Sequence, residues 1–139
     1  MAALAKDRHV PTNNGGYRAR YTVIASDIIY KGAFVSENGS GDVGPTVAVA
    51  ATCTGIALEQ QDNSAGAAAA KTVEVLVGGI IMHAVASATK ANINDLCYAS
   101  DDQTLVLTST SNQQVGRIIG FDPNESLPII QMNTPGGAV

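Results

Sequence analysis

The chain has 139 residues, 45% hydrophobic and 14% charged, which suits one domain with a real core and excludes two. A charge content well under the ~25% usual for soluble domains leaves wide surface for small neutral residues or for another protein chain, since neutral surface is buried at little desolvation cost. The net charge of −4 is uneven, with five cations against two acids in residues 1–36 and three cations against ten acids beyond; a basic leader before an acidic body disfavours nucleic acid and fits an acidic protein surface.

Residues 1–16 have no hydrophobic period and end in the breaker cluster Pro11-Thr-Asn-Asn-Gly-Gly16. They read as an N-terminal arm, flexible alone and ordered by a partner. The opening Met-Ala-Ala-Leu-Ala is too short an apolar run for a signal peptide before Lys6, Asp7 and Arg8, so cytoplasmic synthesis is expected, with Cys53 and Cys97 as buried free thiols by default and a single disulfide between them as the alternative. No stretch approaches the ~20 apolar residues of a membrane span.

Strands are predicted at residues 21–24 and 33–35, with Asn38-Gly-Ser-Gly41 as the turn before the next run. Residues 43–51 are β-prone, with Val47 and Val49 on one face and Ala48 and Ala50 on the other. A short strand follows at 53–58. Residues 60–71, with four consecutive alanines, predict a loop holding one helical turn, because so short a helix is not stable alone. Residues 72–77 alternate most cleanly, and Gly78-Gly79 separates them from a strand at 80–85. Further strands are expected at 96–98, 105–107, 115–121 and 129–132, with Pro123 and Pro128 marking turns and a frayed tail at 134–139. Eight or more short strands between turn signals predict an all-β domain over residues 17–133, a small β-barrel or β-sandwich with an extended N-terminal arm.

Reactive groups are sparse. His9 lies in the arm and His83 on an apolar strand, where a lone histidine is expected to be a hydrogen-bonded core or interface residue. Cysteines and histidines are not clustered at zinc-ligand spacing. Asp101-Asp102 and Asp62-Asn63 lack EF-hand spacing and read as solvated turn carboxylates. Gly78-Gly79 and Gly116-x-x-x-Gly120 match neither the Walker nor the Rossmann pattern. Paired acids for glycoside hydrolysis find few aromatic rings to stack a sugar, with no Trp, two Phe and four Tyr. A non-enzymatic binding protein with no cofactor and no metal is therefore expected.

The series Gly55-Ile-Ala-Leu58, Thr72-Val-Glu-Val-Leu-Val-Gly-Gly79, Asn94-Asp-Leu-Cys-Tyr98 and Val115-Gly-Arg-Ile-Ile-Gly120 resembles the small capsid cement or decoration proteins of tailed bacteriophages. The likeness runs from Asp42 to Met132. It implies a structural virion protein on the outer capsid surface, a homotrimer that binds the major capsid protein and ties capsomers together, with its arm laid on the shell. Lys6 and Arg8 would then be charge anchors of a capsid-binding arm that includes His9, Val10 and Pro11. The alternative is a carbohydrate-binding or adhesin-like module with Tyr17, Tyr21, Tyr30 and Tyr98 as platforms.

Overall fold

Along the strand Thr72–Val77, Val73, Val75 and Val77 enter one buried cluster while Leu76, on the opposite face, enters a second. Successive side chains of a strand point to opposite faces, so a strand that is apolar on both must be covered on both. The computed structural model, which describes residues 3–10, 12–13, 17–124 and 126–133, shows what covers it.

In chain order the strands are β1 (Thr12–Asn13), β2 (Tyr17–Val23), β3 (Asp27–Ile29), β4 (Phe34–Glu37), β5 (Asp42–Pro45), β6 (Ala51–Thr52) and β7 (Gly55–Ala57). They continue as β8 (Gln61–Asn63), β9 (Thr72–Val77), β10 (Ile80–Met82), β11 (Leu96–Ala99), β12 (Leu105–Val106), β13 (Gln113–Asp122) and β14 (Leu127–Met132). One 3-10 turn, Lys90–Asn92, capped by Thr89, is the sole helical element among the described residues. The protein is all-β, as its sequence predicts.

Strands β2, β5, β4, β7 and β9 close into a barrel, antiparallel at every seam except the parallel β2–β5 pair. A seven-stranded sheet runs β1-β10-β14-β13-β11-β12, with β6 added parallel to β13. β3 and β8 form a separate two-stranded ribbon. Val23, Val35, Val43, Ala57, Val73, Val75 and Val77 belong to the cluster that fills the barrel. Phe34, Ile56 and Leu76, their neighbours on the same strands, join Ile81, Cys97, Leu105, Ile118, Ile130 and Met132 in a second cluster between barrel and sheet.

Two glycines are fixed by close approach rather than by turns. A Cβ on Gly116, inside β13, would lie 2.0 Å from the Gln131 carbonyl oxygen, and one on Gly55 would lie 2.2 Å from that of Leu76. The turn at Gly78 and Gly79 does need positive φ, at 73° and 78°. The hairpin expected at Asn38-Gly-Ser-Gly41 joins the antiparallel pair β4 and β5.

Four expectations are corrected. The run 43–51 is not one strand: β5 stops at Pro45, the Val49 N–H turns back to the Val47 carbonyl at 2.9 Å, and Val47 and Val49 are exposed. Residues 60–71 contain a strand, β8, held by pairing with β3, before the predicted turn, where the Ala70 N–H meets the Ala67 carbonyl at 3.2 Å. Pro128 lies inside β14 opposite Phe121, and its carbonyl accepts from the His83 N–H at 3.1 Å; a proline is tolerated where the ladder needs only its acceptor. Asp102 is buried rather than solvated, its carboxylate accepting the Leu4 N–H at 2.7 Å.

The close strand approach at Gly116 makes a direct prediction. Gly116→Ala should cost about 3 kcal/mol in urea unfolding, because backbone must move to admit the methyl group. Gly120→Ala, whose Cβ would meet only Ile129 Cδ1 at 3.6 Å, should stay within about 1 kcal/mol of the parent; equal losses would discount strand approach as the cause.

Candidate functional site

The segment read as a free arm is tied to the chain's own body over residues 3–10, which corrects the expectation that only a partner orders it. The Leu4 side chain packs against the barrel cluster, and Val10 packs against the barrel–sheet cluster. The Arg8 N–H donates to the Lys31 carbonyl at 2.9 Å, and the Lys31 N–H donates to the Asp7 carboxylate at 2.9 Å. β1 then adds to the outer edge of β10, pairing Thr12 with Ile81. Such contacts join residues far apart in sequence, and no local pattern encodes them.

Arg8 is the centre of this docking. Its Nε donates to the Gly32 carbonyl at 2.8 Å, and its Nη1 lies 2.6 Å from His83 Nε2. The guanidinium carbon stands 5.5 Å from the centroid of Phe34, whose ring meets His83 edge-on. His83 Nδ1 is 2.7 Å from the Ala84 carbonyl. A carbonyl only accepts and a guanidinium only donates, so the imidazole is neutral, protonated on Nδ1 and accepting on Nε2. Burial and then the nearby Arg8 charge lower its pKa to about 4. Arg8 itself is lowered by burial, an effect opposed by Asp102 and Asp101, and its Nη2 has no acceptor among the described residues. His83 is thus a buried, hydrogen-bonded histidine as expected, but it lies just past β10, which ends at Met82 rather than running to Val85 as the sequence predicts.

Of the residues assigned to a capsid-binding arm, Lys6 and His9 are exposed, Arg8 and Val10 face the body, and Pro11 lies outside the described residues. Arg8, His9 and Val10 meet two further cations, Arg18 and Lys31, at one cavity. A cavity of about 280 Å³ opens between residues 8–10 and the barrel. Arg8, Arg18 and Lys31 line it together with Glu74, over apolar Val10, Ile56 and Leu58. Arg18 pairs with Glu74 at 3.4 Å across an exposed surface, a geometry of little energetic weight.

A second feature is an exposed loop without charge. Residues 43–58 contain no ionisable side chain except Cys53, and Val47 and Val49 within them are 60% and 48% exposed. The loop is held from beneath by buried polar groups. The Thr46 hydroxyl bonds the Ser36 hydroxyl at 2.7 Å, Ser36 bonds Gln113, and the Gln113 amide donates to the Val47 carbonyl at 3.0 Å. Asn133 donates to the carbonyls of Cys53 and Gln114 at 3.1 and 2.7 Å. Pro45, Val47 and Ala48 also border a groove of about 550 Å³ that Leu4, Ile28 and Tyr30 line from the other side. The arrangement presents apolar side chains on a backbone that is already fixed.

Burial pushes the thiols of Cys53 and Cys97 up to about 11 and about 12; both cysteines are free and buried, as expected. Burial raises Asp102, partly offset by the Leu4 N–H. No group of three or more His, Cys, Asp or Glu is disposed to hold a metal among the described residues. Tyr17 and Tyr21 lie on β2, Tyr30 in the groove and Tyr98 on β11 in the other sheet. The lack of charge over residues 43–58 is visible in the sequence; the exposed course of residues 47–52 within it is not. Searches against family models, curated proteins and solved structures returned no match.

The Arg8–His83 pair sets a pH dependence. The unfolded chain takes up a proton on His83 near pH 6.5, whereas the folded chain does so only near 4. Stability is therefore full above the unfolded value and falls as pH drops between the two, by roughly 3 kcal/mol from this residue. His83→Gln keeps one donor and one acceptor without the titration. Unfolding at about pH 7 and about pH 4 should show a smaller acid loss in the variant, and Asp102, present in both proteins, drops out of the difference. Equal losses would remove His83 as the cause.

Proposed function

We propose that this chain is a structural capsid cement (decoration) protein, which binds the outer surface of an assembled tailed-phage head as a homotrimer and stabilises it. The observation that carries this reading is the rigidly held, uncharged loop at residues 46–52, which offers Val47 and Val49 to a partner. The sequence resemblance over residues 42–132 and the 14% charge content support it.

The mechanism is one of mass action. A ligand that binds the assembled shell and not its free subunits shifts the equilibrium toward the shell. Removing the exposed part of each valine from water contributes about 1 kcal/mol per side chain. That is weak for one copy and substantial for three linked copies engaging a symmetric surface at once. A loop already fixed by Ser36, Thr46 and Gln113 loses little further entropy on docking. In this role the chain performs no chemistry and needs no cofactor.

The test is cosedimentation and electron microscopy of the purified protein with mature heads of the phage that encodes it, with solution mass to establish the trimer. Val47→Asp and Val49→Asp should leave the urea midpoint unchanged, because both side chains are exposed. Head occupancy should fall about tenfold or more, since docking would then bury an unpaired carboxylate. Unchanged occupancy in both variants would remove this loop from the interface. Absence of head binding by the parent, with retention on a glycan surface, would favour a carbohydrate-binding module instead.

A further inference from the structure

We infer that the cavity between residues 8–10 and the barrel is a binding site for an acidic peptide segment carrying an apolar side chain. This inference rests on the cement reading for the source of the peptide, a segment of the shell protein, but the site is argued from its own residues. The chain is acidic overall, yet three of its eight Lys and Arg side chains line this one cavity. Glu74 is the acid among the lining residues, and its pairing with Arg18 at 3.4 Å is exposed and weak. Lys31 is exposed and has no ion-pair partner among the described residues. Arg8 brings a positive charge to the wall, although its unpaired Nη2 is itself buried. The positive potential is thus concentrated in a concavity, where low-dielectric walls strengthen its pull on an anion.

The apolar lining decides the class of anion. Val10, Ile56 and Leu58 border the same space, and bare phosphate would leave that hydrocarbon uncovered. A peptide with a leucine-like side chain next to a carboxylate satisfies both parts of the lining. The volume of about 280 Å³ lies at the small end of ligand pockets, enough for a side chain or two but not for a folded module. Nucleic acid is disfavoured because the surrounding body carries the excess of acids.

Isothermal titration and amide chemical-shift mapping of the full chain would use two synthetic hexapeptides. One is acetyl-Ala-Leu-Asp-Glu-Leu-Ala-amide; the other is its Asn-Gln counterpart. The acidic peptide should bind at millimolar or lower concentration, weaken as salt rises and shift the amides of residues 8–10, 31 and 56–58. Lys31→Gln and Arg18→Gln should each weaken it several-fold and together about tenfold, while Lys90→Gln, away from the cavity, leaves it unchanged. Equal binding of the neutral peptide, binding indifferent to both variants, competition by inorganic phosphate at equal concentration, or no binding of the acidic peptide would each overturn the site. Head occupancy measured on the same variants separates the two readings. Specific peptide binding without head binding keeps the site and removes the cement reading; head binding by the double variant at parental level removes the shell as the source of the peptide and leaves the cement reading standing.

Discussion

Strands β4, β7 and β9 are buried on both faces, and most of the molecule follows from that constraint. Phe34 and Val35, Ile56 and Ala57, and Val75 and Leu76 are adjacent residues that enter different hydrophobic clusters. A barrel wall of this kind cannot end at solvent, because Phe34, Ile56 and Leu76 would stand exposed as one contiguous apolar patch. The open sheet exists to cover it. The same tight packing brings backbone against backbone at Gly55 and Gly116, where no side chain fits. The two interiors are therefore cooperative: loosening the sheet strips the outer face of the barrel as well.

The junction of barrel and sheet also carries a set of buried polar groups. Ser36 links Thr46 to Gln113, whose amide donates to the Val47 carbonyl, and Asn133 separately donates to the carbonyls of Cys53 and Gln114. Buried hydrogen bonds of this sort add little net stability but are costly to break singly, so they specify one path for the chain as it crosses from β5 to β6. That specificity lets residues 47–50 remain exposed and apolar without collapsing onto the surface. The valines that a partner would bury and the amides that hold them in place are parts of one arrangement.

Local pattern revealed the strands and missed what lies between them. Val73, Val75 and Val77 were legible because strand alternation writes itself into adjacent residues, and the β4–β5 hairpin because Asn-Gly codes for a turn. The course of Val47 and Val49 was not legible. Their alternation looks like a strand, and only the ending of the ladder at Pro45 and the distant Gln113 amide direct the loop outward. β8 was hidden for a related reason: Gln61, Asp62 and Asn63 have poor strand propensity and are held by pairing with β3. The burial of Asp102 and the docking of residues 3–10 depend on a contact 98 residues apart in sequence, which no window of sequence contains.

That docking changes what the charge asymmetry means. Five cations ahead of an acidic body look like an arm reaching for an anionic partner, yet Arg8 spends its charge internally, on the Gly32 carbonyl, the His83 ring and the face of Phe34. A guanidinium is suited to this because its planar fork bonds in two directions while its face stacks on an aromatic ring. By fastening residues 8–10 over β7, Arg8 also builds the wall of the cavity that Arg18 and Lys31 line. The basic character of the leader is therefore divided: one cation closes the structure, and two of the others mark the concavity it creates. Any partner attracted by this charge meets a shaped surface rather than a flexible tether, and its affinity then depends on fit to Val10, Ile56 and Leu58 as much as on charge.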